Sequence, residues 1–202
     1  TAVIGKTLHS AGYRVGIIAQ PDITSPAEIT RLGEPRLFWG VTGGCVDSMV
    51  ANYTATKRKR KSDDYTPGGE NNRRPDRAVI VYANMIRAAY RDVPIVLGGI
   101  EASMRRFAHY DFWDDRVRRS ILLDSKADIL VHGMGESQVV EIAHRLNAGE
   151  SLSDIPGTVE VRRDPPAGAL MLPPEAETVK DRNTYARFYG EFYRNQHRVL
   201  AQ

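Results

Sequence analysis

Cysteine is almost missing from this chain. The single thiol, Cys45, cannot form an intrachain disulfide, and it cannot by itself build a Cys-rich zinc or iron–sulfur site. No metal site is therefore expected within these residues, and a reducing, cytoplasmic setting is. Long apolar runs are missing too. None approaches the roughly 18 residues that span a bilayer, so no membrane partner is expected. Thr1-Ala2-Val3-Ile4-Gly5-Lys6 lacks the charged start and apolar block of a signal peptide. Large net charge is absent: +3 over 202 residues does not by itself mark a nucleic-acid binder. Neither G-x-G-x-x-G nor G-x-x-x-x-G-K-[ST] occurs, which disfavours a stand-alone enzyme built on a dinucleotide or P-loop cradle. There is no internal repeat.

What is present is an ordinary globular composition, 42% hydrophobic and 26% charged, which argues against global disorder. Val3, Ile4 and Leu8 share a helix face that stops at Gly12, with no N-cap before Thr1, as if the helix began earlier. Arg14 to Ala19 reads as a strand buried on both faces. Pro26 to Leu32 is a short helix with Ser25 as cap, and Leu37 to Thr42 is a second strand. Val46 to Ala55 and Asp76 to Arg91 are helical, the latter capped by Asp76. Ile95 to Leu97 and Ile129 to His132 are strands that end in glycine. Glu136 to Asn147 is amphipathic and stops near Gly149. Thr158 to Arg162 reads as an edge strand.

Apolar strands alternating with helices imply βαβ crossovers. The expected fold is α/β, a Rossmann-like or flavodoxin-like three-layer parallel sheet over residues 1–163. Asp164 to Pro174 holds four of the eleven prolines and reads as a linker. Thr178 to Leu200, studded with Tyr185, Phe188, Tyr189, Phe192 and Tyr193, reads as a helix packed outside or on a missing partner. Residues 164–202 thus form a C-terminal helical extension.

Ligands of open parallel sheets bind beyond the carboxyl ends of the strands. Two glycine turns lie there: Gly98-Gly99, and Gly133-Met134-Gly135-Glu136 opening a helix. Glycine lets a ligand approach the backbone, and a helix start offers free N–H groups. Tight strand-to-helix turns need the same glycines, which is the plain alternative.

Two other segments stand out. Lys57, Arg58, Lys59, Arg60 and Lys61 form a basic run inside a loop whose residues 57 to 77 carry eight basic and four acidic side chains. The alternatives are a solvated loop and contact with a polyanion such as RNA; the pair Asp63-Asp64 speaks against a plain phosphate clamp. Residues 101 to 119 mix five arginines and four acids with Phe107, His109, Tyr110, Phe112 and Trp113. That mixture suits an interface, or an active-site wall in which His109 is an acid, base or ligand. Cys45 follows Gly43-Gly44 at a helix start and is either activated or inert.

Many of these stretches, in this order, resemble the amino-terminal part of the YgiQ family of radical S-adenosylmethionine (SAM) proteins. The matching runs include Arg14 to Asp22, Leu37 to Thr54 (LFWGVTGGCVDSMVANYT), Asp63 to Gly69, Arg74 to Ala78, Leu97 to Arg106 (LGGIEASMRR), Val117 to Asp128 and Gly133 to Glu136. The resemblance implies a cobalamin-binding-like domain that precedes a catalytic barrel. It maps the edge turns onto Val96 to Ser103 and Asp128 to Glu136, so that Thr42, Gly43, Gly98, Gly99, Glu101, Ser103, Gly133, Gly135 and Glu136 line a cofactor or substrate edge. It implies a [4Fe–4S] cluster and SAM in a downstream domain, because the C-x-x-x-C-x-x-C loop is not in this chain. The D-x-H-x-x-G signature of cobalamin binding is also missing, and neither His109 nor His132 replaces it, so cobalamin is not expected here. The function implied is the amino-terminal module of a radical SAM iron–sulfur enzyme, covering the barrel and helping bind substrate or cofactor. The alternative is an RNA- or protein-binding module acting through residues 57–77 and 101–119.

Overall fold

Residues 1–71 and 73–202 are described by a computed structural model. The chain opens with helices α1 (Ala2–Ser10) and α2 (Ala27–Thr30), then strand β1 (Trp39–Val41), helices α3 (Ser48–Asn52) and α4 (Ala78–Ala89), and strand β2 (Ile95–Leu97). Helix α5 (Gly99–Met104), a hairpin of β3 (His109–Asp111) and β4 (Arg116–Arg118), and helix α6 (Ile121–Ser125) follow. Strand β5 (Ile129–Val131), helix α7 (Glu136–Ala148) and strand β6 (Thr158–Glu160) complete the first 163 residues. Beyond them come β7 (Leu170–Met171), α8 (Glu175–Thr178), α9 (Arg182–Arg194) and β8 (Leu200–Ala201).

The central sheet has the order β1-β2-β5-β6. The first three strands are parallel, with Val41 opposite Leu97 and Leu97 opposite Leu130; β6 closes the edge antiparallel to β5. Successive side chains point to opposite faces of a strand. Val41, Ile95, Leu97 and Leu130 therefore face a core shared with Val79, Ala83 and Ile86 of α4 and with Ile121 and Leu122. Val96, Ile129 and Val131 face the other way, onto Leu8 of α1 and Val139, Ile142 and Ala143 of α7. With both faces covered, β2 and β5 have no polar side, which is why each reads as a continuous apolar run. The result is the expected α/β three-layer architecture with a mostly parallel sheet.

Some local expectations give way. Arg14 to Ala19 forms no strand: Val15 and Ile17 are exposed, and this segment runs over α1, where Gly5 makes room for Ile17 and Val15. The helix expected over Val46 to Ala55 is five residues long, because the chain turns back at Tyr53 into a bridge with Lys59. Asp76 does not cap α4. Its carboxylate instead accepts hydrogen bonds from Asn52 Nδ2 and Tyr53 Oη, both at 2.8 Å. The helix expected over Thr178 to Leu200 is split, since Asp181 starts α9 afresh by accepting from Thr184 N at 2.7 Å. Leu170 and Met171, in the proline-rich stretch, pair with β8.

Helix α9 does not stand away from the rest. Phe188 is buried with Ala108 and Leu172, and Phe107, Val117, Tyr185, Phe192 and Leu200 pack around them. Tyr185, Phe188 and Phe192 of α9 thus pack on Phe107, Ala108 and Val117 of the 101–119 segment, while Tyr189 and Tyr193 stay exposed. Tyr185 Oη accepts from Tyr110 N at 3.0 Å, and Gln202 Oε1 accepts from Ala108 N at 3.0 Å. Among the described residues, no helix is long and apolar enough to cross a membrane.

Candidate functional site

The carboxyl ends of β1, β2 and β5 bring Thr42-Gly43, Gly98-Gly99 and His132-Gly133 to one edge of the sheet. The strands run in chain order across this sheet, so no reversal of strand order opens a crevice among the described residues. The space the glycines leave is mostly taken by the protein itself. A Cβ on Gly43 would overlap the Glu101 carboxylate, one on Gly99 would overlap Thr42 Oγ1, and one on Gly135 would overlap Val131 Cγ1. Gly99 and Gly133 also need glycine for their backbone, at φ +83° and +74°. Of the edge glycines, Gly133 alone combines positive φ with open space around its missing side chain.

Glu101 is turned inward and is 1% exposed. Its Oε2 accepts from Ser48 N at 2.9 Å and its Oε1 from Val79 N at 3.0 Å. One buried carboxylate therefore satisfies a first-turn N–H of both α3 and α4, donors that otherwise have no partner inside their helices. Ser48 Oγ accepts from Ala78 N at 3.0 Å, completing the start of α4. Beside them, Asp47 caps α3 and pairs with Arg105. Asp128, at the other end of β5, accepts from Ile95 N at 2.7 Å and pairs with Arg87, tying two strands together away from this edge.

The outward part of the edge is different. Gly99, Ile100, Ser103, Met104, Gly133 and Met134 line a shallow hollow of about 390 Å³. Ser103 Oγ accepts from Gly133 N at 3.1 Å and holds the two turns together. Ile100, Met104 and Met134 are exposed, Met134 at 87%. Glu136 sits in the first turn of α7, just behind. Half-buried His132 follows β5 directly, and burial together with the nearby Arg106 guanidinium holds its pKa below the usual histidine value.

The 101–119 segment is an ion-paired hairpin. Arg77 Nε and Nη2 donate to Asp111 Oδ2 at 3.0 and 2.8 Å, and Arg77 also pairs with Asp114. Arg118 reaches Asp111, Asp114 and Asp124. Burial works to raise the Asp111 and Asp124 carboxyls, but it is outweighed by Arg77 and the backbone donors of Asp114 and Trp113 at Asp111, and by Arg119 and Arg118 at Asp124, so both are left lowered. His109 lies inside this hairpin, with Nδ1 3.2 Å from the Phe107 carbonyl. Burial, aided by Arg105 and Arg118, outweighs that carbonyl and Asp111 and pushes its pKa down to about 4. Unfolding restores a value of 6.5, so between the two the unfolded chain takes up a proton that the folded chain refuses. His109 should therefore leave stability intact above pH 6.5 and remove it progressively toward pH 4, by at most about 3 kcal/mol. The lowered aspartates lose their contribution only below that window. Urea unfolding of the His109→Asn protein between these limits should show a shallower fall; an unchanged slope would refute the assignment.

Lys57 to Lys61 lie exposed on a hairpin that follows α3, and Cys45 is exposed ahead of the Asp47 cap. With one cysteine in the chain, and no grouping of three or more His, Cys, Asp or Glu suited to a metal among the described residues, the donor set does not fit an iron–sulfur cluster. His109 is enclosed by its hairpin, and the side-chain space at Gly43, Gly99 and Gly135 is filled from within.

The periodic alternation in the sequence exposed the edge. Asp47 and Ser48 could from sequence either cap the helix or face the strand edge, and the structure makes Asp47 the cap. The inward turn of Glu101 and the bond from Ala78 N to Ser48 Oγ rest on side-chain bonds to backbone across 20 to 60 residues and left no sequence signal. Comparison with known proteins adds the family. The radical SAM N-terminal family model matches residues 1–202. A UPF0313 protein of Thermotoga petrophila is 53% identical over 203 residues, covering 96% of this chain and 36% of the relative. A UPF0313 protein of Fusobacterium nucleatum is 48% identical over 204 residues, covering 100% of this chain and 36% of the relative. One of Rhodopseudomonas palustris is 58% identical over 167 residues, covering 81% and 25%. The chain thus spans about a third of the length of such relatives. No solved structure matches it. A match to the family model along the whole chain, on a sheet of the expected architecture, bears out the resemblance read from the motifs: this chain belongs to the radical SAM N-terminal family.

Proposed function

We propose that this chain is the amino-terminal module of a larger radical SAM protein, and that the outward edge of its sheet docks on the catalytic barrel. The [4Fe–4S] cluster and SAM belong to that downstream part, where a three-cysteine loop would hold them; this chain supplies a wall. The observation that carries the reading is the apolar rim of Ile100, Met104 and Met134 around Ser103 and Gly133. Exposed methionine and isoleucine grouped at one strand edge suit a surface that another part of the molecule covers. The relatives' greater length supplies an occupant. Gly133 and Glu136 border the same rim and would meet a ligand held in the barrel mouth.

The test uses the full-length protein after anaerobic reconstitution with iron and sulfide. Uptake of a cluster is expected, and failure to bind iron would sink the radical SAM part. The Met104→Arg/Met134→Arg protein should take up the same iron but melt several degrees lower, because two charges are forced under the docked barrel. If both side chains remain in solvent, the double change stays within about 0.5 kcal/mol and the docking face is wrong.

A further inference from the structure

We infer that the hairpin after α3, together with Phe112 and Trp113, forms a binding face for single-stranded nucleic acid. This inference stands apart from the catalytic reading. In sequence, the basic run and the aromatic segment are more than 50 residues apart; in the structure they touch. Lys57 Nζ donates to the Trp113 carbonyl at 3.2 Å and lies 4.8 Å from the centre of the Phe112 ring. Tyr53 and Trp113 have ring centres 5.2 Å apart, and Phe112 meets Trp113 edge-on at 5.3 Å.

The basic run is held in place. Tyr53 and Lys59 form a bridge, Arg60 N donates to Asn52 O at 2.8 Å, and Thr54 N donates to Arg58 O at 2.8 Å. Arg60 Nε also donates to the Val50 and Tyr53 carbonyls. A loop pinned at this many points presents its cations from a fixed frame, so binding loses less side-chain and backbone freedom. Among the described residues, none of the five cations sits in an ion pair.

The acidic pair that speaks against a phosphate clamp is halved. Asp63 is buried and paired with Arg74 at 3.2 Å, so Asp64 is the one of the two left at the surface. The nearby acids on the β3–β4 turn are also engaged: Asp114 with Arg77, Arg116 and Arg118, and Asp115 with Tyr110 Oη. Each of those ion pairs takes a cation with its acid, so what the fold leaves exposed and unpaired is the run Lys57 to Lys61, with Asp64, Glu70 and Asp76 still at the surface. An aromatic ring beside the run is open as well. Phe112 is 46% exposed beside the Lys57 ammonium. Cations in a row attract any polyanion, but an exposed aromatic ring beside them suits an unpaired base, which stacks without sequence preference. An acidic protein segment would use the cations and leave the ring idle.

The experiment is fluorescence anisotropy of labelled oligo-uridine and oligo-thymidine with the full-length protein, across salt from about 50 to 200 mM. Arg58→Glu/Lys59→Glu/Lys61→Glu should weaken binding at least about tenfold and flatten the salt dependence. Phe112→Ala, which leaves every charge in place, should weaken it about fivefold or more through lost stacking. Preference for the uridine strand would make the ligand RNA, and preference for thymidine DNA; either supports the inference. Arg58→Gln and Lys61→Gln singly, each with a partial loss, carry the same reading if the triple variant fails to fold. The inference is overturned by no binding, by unchanged binding in the charge variants, or by equal affinity for duplex with Phe112→Ala silent. Displacement by polyglutamate in preference to oligonucleotide would mark a protein partner and overturn it as well.

Discussion

Glu101→Ala is expected to lower the unfolding free energy by about 4 kcal/mol, even though the residue lies on an edge where a ligand contact is the natural first thought. Its carboxylate is the acceptor for Ser48 N at 2.9 Å and Val79 N at 3.0 Å, and all three residues are buried. Truncation orphans two buried donors, each costing about 1–3 kcal/mol, and empties the space beside Gly43. Two helix starts lose their acceptor together, so the loss should appear as cooperative loosening of α3 and α4 rather than as a local fray. Glu101→Gln keeps the volume and one good acceptor but points an N–H at an N–H, and about 2 kcal/mol is expected. Denaturant unfolding gives the sizes, and hydrogen exchange at Ser48 and Val79 gives the place. A loss below about 1 kcal/mol for the alanine would mean that the carboxylate is not the structural tie described above.

Arg74→Met should cost about 3–5 kcal/mol, because it leaves the Asp63 carboxylate buried without its cation. The two side chains are 5% and 2% exposed and 3.2 Å apart. Asp63 keeps hydrogen bonds from Tyr65 N at 2.9 Å and Thr66 Oγ1 at 2.8 Å, which soften the loss without cancelling it. Adding Asp63→Asn removes the stranded charge while keeping an acceptor for those donors. The double variant should therefore recover more than 1 kcal/mol of what the single change lost, and a double-mutant cycle measures that coupling. Simple additivity of the two changes would show that the pair does not act as a unit. Because Arg74 also donates to the Gly43 carbonyl at 3.4 Å, the single change should loosen the 63–70 loop and the β1 turn together.

The sequence was most legible where a property of one element decides the outcome. Ile95-Val96-Leu97 and Ile129-Leu130-Val131 read as strands because both their faces are buried, and the structure pairs them in parallel. The end of α7 at Gly149 was readable because a left-handed residue is needed there, and Gly149 has φ +72°. Arg14 to Ala19 misled for the matching reason. An apolar run signals burial, whereas a strand also needs a neighbour with free backbone groups, and this segment has none. Asp76 carried a cap signature, but Asn52 and Tyr53 claim its carboxylate and α4 is capped from elsewhere.

By itself, then, the sequence determined the alternation of strand and helix, the glycine turns at the strand ends and the family. Each is written in spacing or in a run of adjacent residues. Tertiary structure alone decided that Glu101 faces inward, that Asp63 leaves the surface, and that Lys57 meets Phe112 and Trp113. Those outcomes depend on which side chain reaches which backbone group or ring across tens of residues. Such pairings follow from how the layers pack, so periodicity and local propensity carry no trace of them.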